Sequence, residues 1–141
     1  MLNIEHFISK YVTKRPESMF QADLYTHQSA LTKAIEGKSV LVIGGAGSIG
    51  SSYIKALLPF KPKTLVVVDI SENGLTELTR ELRSTSAFTV PTDYVTYPMN
   101  YADDTFVKMF KARDGFDIIA NFSAHKHVRS EKDKYSVEAL L

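Results

Sequence analysis

The chain carries a glycine loop, Gly44-Gly45-Ala46-Gly47-Ser48-Ile49-Gly50, between an apolar run at 39–43 and a helical pattern. The apolar run is rich in β-branched residues, which indicates a strand buried on both faces of a parallel sheet. We expect Gly44 to permit a tight turn, Gly47 to admit a pyrophosphate, and Gly50 to let the helix pack against the strand. The N–H groups that begin the helix would face the phosphates. The loop therefore predicts a dinucleotide site.

Strand and helix patterns alternate after the glycine loop. Buried strands are expected at 64–69 and 116–122, and the less apolar strand at 94–99 is expected at an edge, because Pro98 cannot donate a ladder hydrogen bond. Helices are expected at 48–58, 72–83 and 103–111, with Lys108, Lys111 and Arg113 on a solvated helix face. The alternation predicts an α/β fold, a Rossmann-type doubly wound parallel sheet with right-handed crossovers.

The first part of the chain has a different pattern. Apolar residues recur at helical spacing over 4–11 and 19–35, and Gly37 suits the residue after a helix. We therefore predict a helical N-terminal extension over 1–37 and an NAD(P)-binding Rossmann domain over 38–141. That domain is expected to be truncated, because its last pattern, 130–141, is that of a helix that is cut short.

Composition narrows the partners and the compartment. The formal net charge is +1, which gives no strong attraction to nucleic acid or to a membrane surface. No apolar run approaches the ~20 residues that span a bilayer. The chain has no cysteine, which excludes disulfides and thiolate metal sites. We expect a cytoplasmic protein without a nucleic-acid or membrane partner.

An acidic residue at the end of the second predicted strand bears on the choice between NAD and NADP. Asp69 follows the last glycine of the loop by about 20 residues, the spacing at which a carboxylate accepts hydrogen bonds from ribose hydroxyls. The same carboxylate would repel a 2′-phosphate, which favours NAD over NADP. The alternative is a glycine-rich turn without a ligand, which the strand before the loop and the helix after it disfavour.

Three segments together resemble a known family. They are 40–51, which contains the glycine loop, Asp69-Ile70-Ser71-Glu72-Asn73, and Ala124-His125-Lys126-His127-Val128. They resemble the extended short-chain dehydrogenases/reductases that act on nucleotide sugars, in the polysaccharide-biosynthesis branch typified by UDP-N-acetylglucosamine 4,6-dehydratase. The resemblance covers 37–141, and the segment from Ala124 to Val128 is its most specific part.

The resemblance implies that four segments hold the cofactor. Listed from pyrophosphate to ribose, adenine and nicotinamide, their residues are Gly44, Gly47, Ser48, Ile49 and Gly50; Asp69, Ile70, Ser71 and Asn73; Asn100 and Tyr101; and Ser123 and Ala124. Lys126 would reach the diphosphate of a UDP-sugar substrate. No catalytic residue is expected in this chain, because those of the family lie further downstream. No metal site is expected either, because no acid or cysteine near His125 and His127 completes a ligand set.

The implied activity is that of a lyase in surface polysaccharide or glycan biosynthesis. In the family, NAD takes a hydride from C4 of the sugar, water is lost across C5 and C6, and the hydride returns to C6. This portion alone is expected to be inactive, and the full-length enzyme is expected to be a homo-oligomer. Ile43, Asn100 and the pair Phe122-Ser123 depart from the family pattern, which affects fine cofactor contacts.

Other functions are compatible with parts of the sequence. A nucleotide-sugar 4-epimerase or reductase would share the scaffold and differ in the downstream catalytic residues. A non-catalytic NAD-binding module is the alternative outside enzymes. A methyltransferase also uses a glycine loop and an acid after the second strand, but the three-glycine spacing and the segment from Ala124 to Val128 disfavour it.

Overall fold

The computed structural model describes residues 7–15 and 17–124. The chain divides into two compact units, Met1–Ala34 and Ile35–Leu141. The N-terminal segment contains a π-helical turn at Ile8–Val12 and the helices α1, Gln21–Thr26, and α2, Gln28–Ile35. The helix predicted over 19–35 is thus two helices, because His27 between them leaves the helical backbone conformation at φ −101° and ψ 9°.

In the described part of the second unit, four parallel strands form one sheet. They are β1, Ser39–Ile43; β2, Thr64–Asp69; β3, Asp93–Pro98; and β4, Ile118–Asn121. The strand order is β3-β2-β1-β4. Three helices connect the strands: α3, Ser48–Leu57; α4, Glu72–Ser84; and α5, Asp104–Ala112. A 3₁₀ turn at Leu58–Phe60 follows α3, at the place where Pro59 limits the predicted helix. The predicted Rossmann-type fold is confirmed.

Helices cover both faces of the sheet. On one face α3 and α4 pack on β1 and β2 through a cluster of aliphatic side chains: Val40, Val42, Ile54, Leu57, Leu58, Leu65, Val67, Leu75, Leu78 and Leu82. On the other face α5 packs Phe106, Met109 and Phe110 against Leu41 and Val66. Each fully buried aliphatic side chain contributes about 2 kcal/mol to the free energy of unfolding. The two central strands are the most buried because both clusters share them, which explains their uninterrupted apolar runs.

The outer strands are more exposed than the central ones. The residues of β3 are exposed or half-buried, and the edge position predicted for 94–99 is confirmed by the strand order. In β4, Ile119 is 51% exposed although it pairs with the fully buried Leu41. Beyond β4, the Phe122 N–H still donates to the Ile43 carbonyl at 2.8 Å. The chain after β4 is therefore held against the end of β1.

Two carboxylates join neighbouring strands at the amino ends of the sheet. Asp117 accepts hydrogen bonds from the Ser39 N–H and hydroxyl, both at 2.8 Å, and these bonds lower the pKa of Asp117. Asp93 accepts from the Thr64 hydroxyl at 3.0 Å and from the Arg113 guanidinium at 3.1 Å. The prediction that Arg113 lies on a solvated face is therefore wrong, because it turns back to pair with Asp93.

The helices of the described residues, 7–15 and 17–124, are too short or too polar to cross a membrane.

Candidate active-site cleft

A cleft of about 450 Å³ lies at the carboxyl ends of the strands. It opens where the strand order reverses, because β1 is followed by β2 on one side and β4 lies on the other. This crevice is where open α/β sheets bind their ligands. Its lining residues are Ile43, Gly44, Gly47, Val68, Asp69, Ile70, Met99, Asn100, Tyr101, Ala102, Phe122, Ser123 and Ala124.

The cleft brings together eight of the thirteen residues predicted to hold a cofactor. The other five predicted residues are not among those that line the cleft: Ser48, Ile49, Gly50, Ser71 and Asn73. Five lining residues were not predicted from the sequence: Ile43, Val68, Met99, Ala102 and Phe122. Their position in the sequence could have indicated them, since each lies near the carboxyl end of a predicted strand. His125, Lys126 and His127 lie outside the described residues.

The glycine loop is packed tightly against its surroundings at both ends. Gly44 has φ +73°, and a Cβ there would lie 2.6 Å from the Ser123 nitrogen. A Cβ on Gly50 would overlap the Gly44 carbonyl oxygen, so the first turn of α3 lies against the end of β1. Gly44 is therefore required by the turn, and Gly50 by the packing of the helix against the strand, as predicted.

The two middle glycines of the loop differ from each other. A Cβ on Gly45 would overlap Cγ1 of Val67, a constraint that the sequence did not indicate. Gly47 has an ordinary backbone with φ −71°, and its Cβ would lie 3.5 Å from the nearest neighbour, the Gly44 oxygen. The described protein atoms therefore leave room for a side chain at Gly47. This room faces the cleft, where a ligand could approach the backbone.

The N-terminus of α3 begins directly after Gly47, which lines the cleft. Among the described residues no side chain caps this helix, and its first bond of the i to i−4 type runs from the Ser51 N–H to the Gly47 carbonyl at 2.9 Å. The N–H groups of Ser48, Ile49 and Gly50 precede that bond and have no intrahelical acceptor. Their partial positive charge is suited to an anion.

Asp69 connects the glycine loop to the start of α4. Its Oδ2 accepts a hydrogen bond from the Ala46 N–H at 2.9 Å, and its Oδ1 accepts one from the Ser71 N–H at 2.9 Å. The Ser71 hydroxyl in turn accepts from the Gly74 N–H at 3.2 Å, so Ser71 is the N-cap of α4. The carboxylate in the cleft is therefore held in a fixed position by two backbone donors.

Two exposed apolar side chains and one amide side chain also line the cleft. Ile70 is 78% exposed and Tyr101 is 47% exposed, so flat or apolar groups have two surfaces to contact. Asn100 is oriented by its own turn, because its Oδ1 accepts from the Ala102 N–H at 3.0 Å. No described residue accepts a hydrogen bond from the Asn100 NH₂ group, which can therefore donate to a ligand.

The segment after β4 forms the floor of the cleft. The Asn121 Oδ1 accepts from both the N–H and the hydroxyl of Ser123, at 2.9 and 2.6 Å, which fixes this turn. Phe122 packs on Tyr53 with ring centroids 5.0 Å apart, and burial raises the pKa of Tyr53. Among the residues that the structure describes, no three His, Cys, Asp or Glu side chains are grouped to hold a metal ion.

The comparisons with known proteins agree with this geometry. A family model described as polysaccharide biosynthesis protein matches residues 40–140. The chain is 55% identical over 47 residues to an uncharacterized membrane protein, MJ1061, of Methanocaldococcus jannaschii, covering 33% of this chain and 14% of that protein. It is 29% identical over 103 residues to the probable polysaccharide biosynthesis protein EpsC of Bacillus subtilis, covering 71% of this chain and 16% of EpsC.

A solved structure matches over a similar part. Pen from Bacillus thuringiensis superposes with a TM-score of 0.54 at 29% identity, covering 67% of this chain and 27% of Pen. The chain thus spans less than a third of the length of each of these three proteins.

Proposed function

This chain belongs to the polysaccharide biosynthesis protein family, whose model matches residues 40–140, and we propose that it is the NAD-binding portion of a nucleotide-sugar-modifying enzyme. The full enzyme would be a 4,6-dehydratase acting on UDP-N-acetylglucosamine or a similar UDP-sugar. The observation that carries the proposal is the cleft at the reversal of strand order, which holds Gly44, Gly47 and Asp69 together.

The cleft suits the parts of a dinucleotide. The backbone at Gly47 has room for a pyrophosphate, and the uncapped N-terminus of α3 would neutralise part of its charge. The exposed side chains of Ile70 and Tyr101 would contact the adenine ring. The nicotinamide end would then lie along Ser123 and Ala124 after β4.

Asp69 supports NAD rather than NADP. Its carboxylate lies in the cleft at the end of β2, where the adenosine ribose would lie. Each carboxylate oxygen has a lone pair left after accepting one backbone N–H, so it can also accept from a ribose hydroxyl. A 2′-phosphate at the same place would bring two negative groups into contact, which is unfavourable.

The chemistry of the proposed reaction needs a reversible hydride acceptor, which bound NAD supplies. The described residues of this chain would orient the cofactor through the glycine loop and Asp69. Lys126 would bind the diphosphate of the UDP-sugar. The acid and base groups would come from a part of the enzyme that this chain does not contain.

Calorimetric titration of the 141-residue chain with NAD and NADP tests the cofactor proposal. We expect NAD to bind more tightly by about tenfold, because the carboxylate of Asp69 repels the 2′-phosphate. Asp69→Ala should narrow that difference. Tighter binding of NADP would contradict the role of Asp69, and binding of neither dinucleotide would contradict the proposed function.

The reaction class is tested on a longer protein in which this chain is continued as in its relatives. Incubation with UDP-N-acetylglucosamine should give a product that is lighter by one water molecule, without net reduction of the cofactor. A product of unchanged mass with inverted C4 would indicate an epimerase and would overturn the dehydratase proposal.

A further inference from the structure

The carboxylate of Asp69 is bonded to the glycine loop itself, before any ligand is considered. Its two oxygens accept from the backbone N–H groups of Ala46 and Ser71, each at 2.9 Å. We infer that Asp69 is a positioning residue for the glycine loop, so that recognition of the ribose and recognition of the pyrophosphate depend on one side chain. The inference rests on the proposed function, and it gives Asp69 a second role beside its contact with ribose hydroxyls.

Ala46 is held from two sides. Its N–H is bonded to Asp69, and its Cβ faces the first turn of α4, where a Cβ on Gly74 would lie only 2.9 Å away. Ser71 extends the same connection, because it accepts from the Gly74 N–H and caps α4. The loop, the end of β2 and the start of α4 therefore form one hydrogen-bonded unit around the carboxylate.

The position of Ala46 determines what this unit controls. Ala46 directly precedes Gly47, the glycine that has open space beside it and lines the cleft. A bond from a backbone N–H to an ionised carboxylate is about twice as strong as one between neutral groups. Loss of the Asp69 carboxylate would free the Ala46 N–H and let the backbone at Gly47 move. The surface offered to a pyrophosphate would then be disordered, even for a ligand without ribose hydroxyls.

Two nucleotides separate the positioning role from the ribose contact. ADP carries both ribose hydroxyls, and 2′,3′-dideoxy-ADP carries neither. For Asp69→Asn, we expect the affinity for both nucleotides to fall by about tenfold, because asparagine has one uncharged acceptor oxygen for two backbone donors and holds the loop more weakly. Removal of a negative charge would by itself tighten the binding of both anions, so a fall in affinity cannot come from electrostatics.

A second measurement needs no nucleotide. Hydrogen exchange followed by NMR should show the Ala46 amide exchanging about tenfold faster in Asp69→Asn, because its acceptor is weakened. The matched control is Asp117→Asn, which removes a carboxylate that also bonds to a backbone N–H, that of Ser39 at the opposite end of the sheet. This control should lower stability and leave both nucleotide affinities and the Ala46 exchange rate unchanged.

These measurements distinguish the positioning role of Asp69 from its contact with the ribose. If Asp69→Asn weakens ADP but leaves dideoxy-ADP unchanged, Asp69 acts only on the ribose and the positioning role is overturned. If the Ala46 exchange rate does not rise, the positioning role is overturned as well. If the unsubstituted chain binds no nucleotide, the proposed function fails, and the exchange rate of Ala46 alone decides whether Asp69 holds the loop.

Discussion

Gly44 lies directly against the backbone of Ser123, so that a Cβ on Gly44 would be 2.6 Å from the Ser123 nitrogen. The same residue has φ +73°, a conformation that costs other residues about 1–2 kcal/mol. The contact joins the loop after β1 to the turn after β4, and both segments line the cleft. The cleft therefore depends on a close approach of two backbones that only glycine allows.

Gly44→Ala should lower the free energy of unfolding by about 3 kcal/mol, because the left-handed conformation and the clash with Ser123 both oppose a Cβ. Urea unfolding measures the change. Gly37→Ala is the matched control, since Gly37 has a similar φ of +72° but no atom of the residues that the structure describes lies within 4 Å of an added Cβ. It should cost only about 1 kcal/mol. Equal losses for the two variants would show that the approach to Ser123 is looser than in the structure.

Gly47→Ala should leave stability nearly unchanged and weaken NAD binding by about tenfold or more. Of the described atoms, the added methyl group meets the Gly44 oxygen alone, at 3.5 Å, and φ is −71°, so the fold accommodates it. It would occupy the space into which the pyrophosphate is proposed to fit, which costs about 1–3 kcal/mol of overpacking. Calorimetry measures the affinity for NAD, and a thermal melt of the same sample measures the stability. Unaltered NAD affinity would place the pyrophosphate elsewhere.

The strands and helices could be predicted because local patterns determine them. The runs of β1 and β2 are apolar on both faces, since helices cover both faces of the sheet. The ends of elements were less accurate where long-range bonds decide them. β4 begins at Ile118 rather than at 116, because Asp117 bonds to Ser39, 78 residues earlier in the chain. Such a partner leaves no periodic signal.

The candidate site divides in the same way. The glycine spacing and the acid after β2 indicated Gly44, Gly47 and Asp69, which all line the cleft. The sequence did not indicate the bond of Asp69 to the Ala46 N–H or the need for glycine at position 45. Both depend on how close the loop lies to β2, which is a property of packing between strands rather than of spacing along the chain.

Asp93→Asn should lower stability near neutral pH by at most about 1 kcal/mol, because the Asp93 side chain is 47% exposed and solvent screens its pair with Arg113. Burial is the largest single effect and raises the pKa of Asp93. The hydrogen bonds from Arg113 and Thr64 and the charges of Arg113 and Lys63 together outweigh it, so the pKa is lowered. A carboxyl group whose pKa is lower in the folded state stabilises the fold at pH values above its pKa in the unfolded state, about 4. This stability is lost as the pH falls through the pKa of the folded state.

Urea unfolding of the unsubstituted chain and of Asp93→Asn as a function of pH checks this expectation. The difference between their free energies of unfolding should be largest at neutral pH. It should shrink as the solution is acidified below the pKa of an unfolded aspartate, because the unfolded state then takes up a proton before the folded state does. The decrease should end below the lower folded pKa, where the carboxyl group is protonated in both states. A difference that stays constant across this range would mean that the ionised carboxylate contributes nothing beyond its shape.

Asn100→Asp should tighten NAD binding by about threefold to tenfold. Asn100 is held by the bond from the Ala102 N–H to its Oδ1, and an aspartate can accept the same bond. The substitution replaces the NH₂ donor by a charged acceptor, which would accept from the 6-amino group of adenine in a charge-assisted hydrogen bond.

Nicotinamide hypoxanthine dinucleotide, which carries a carbonyl in place of that amino group, is the control ligand. Its affinity should fall in Asn100→Asp, since two acceptors would then face each other. Calorimetry with both dinucleotides gives the comparison, and a parallel change in the two affinities would show that Asn100 does not contact the base.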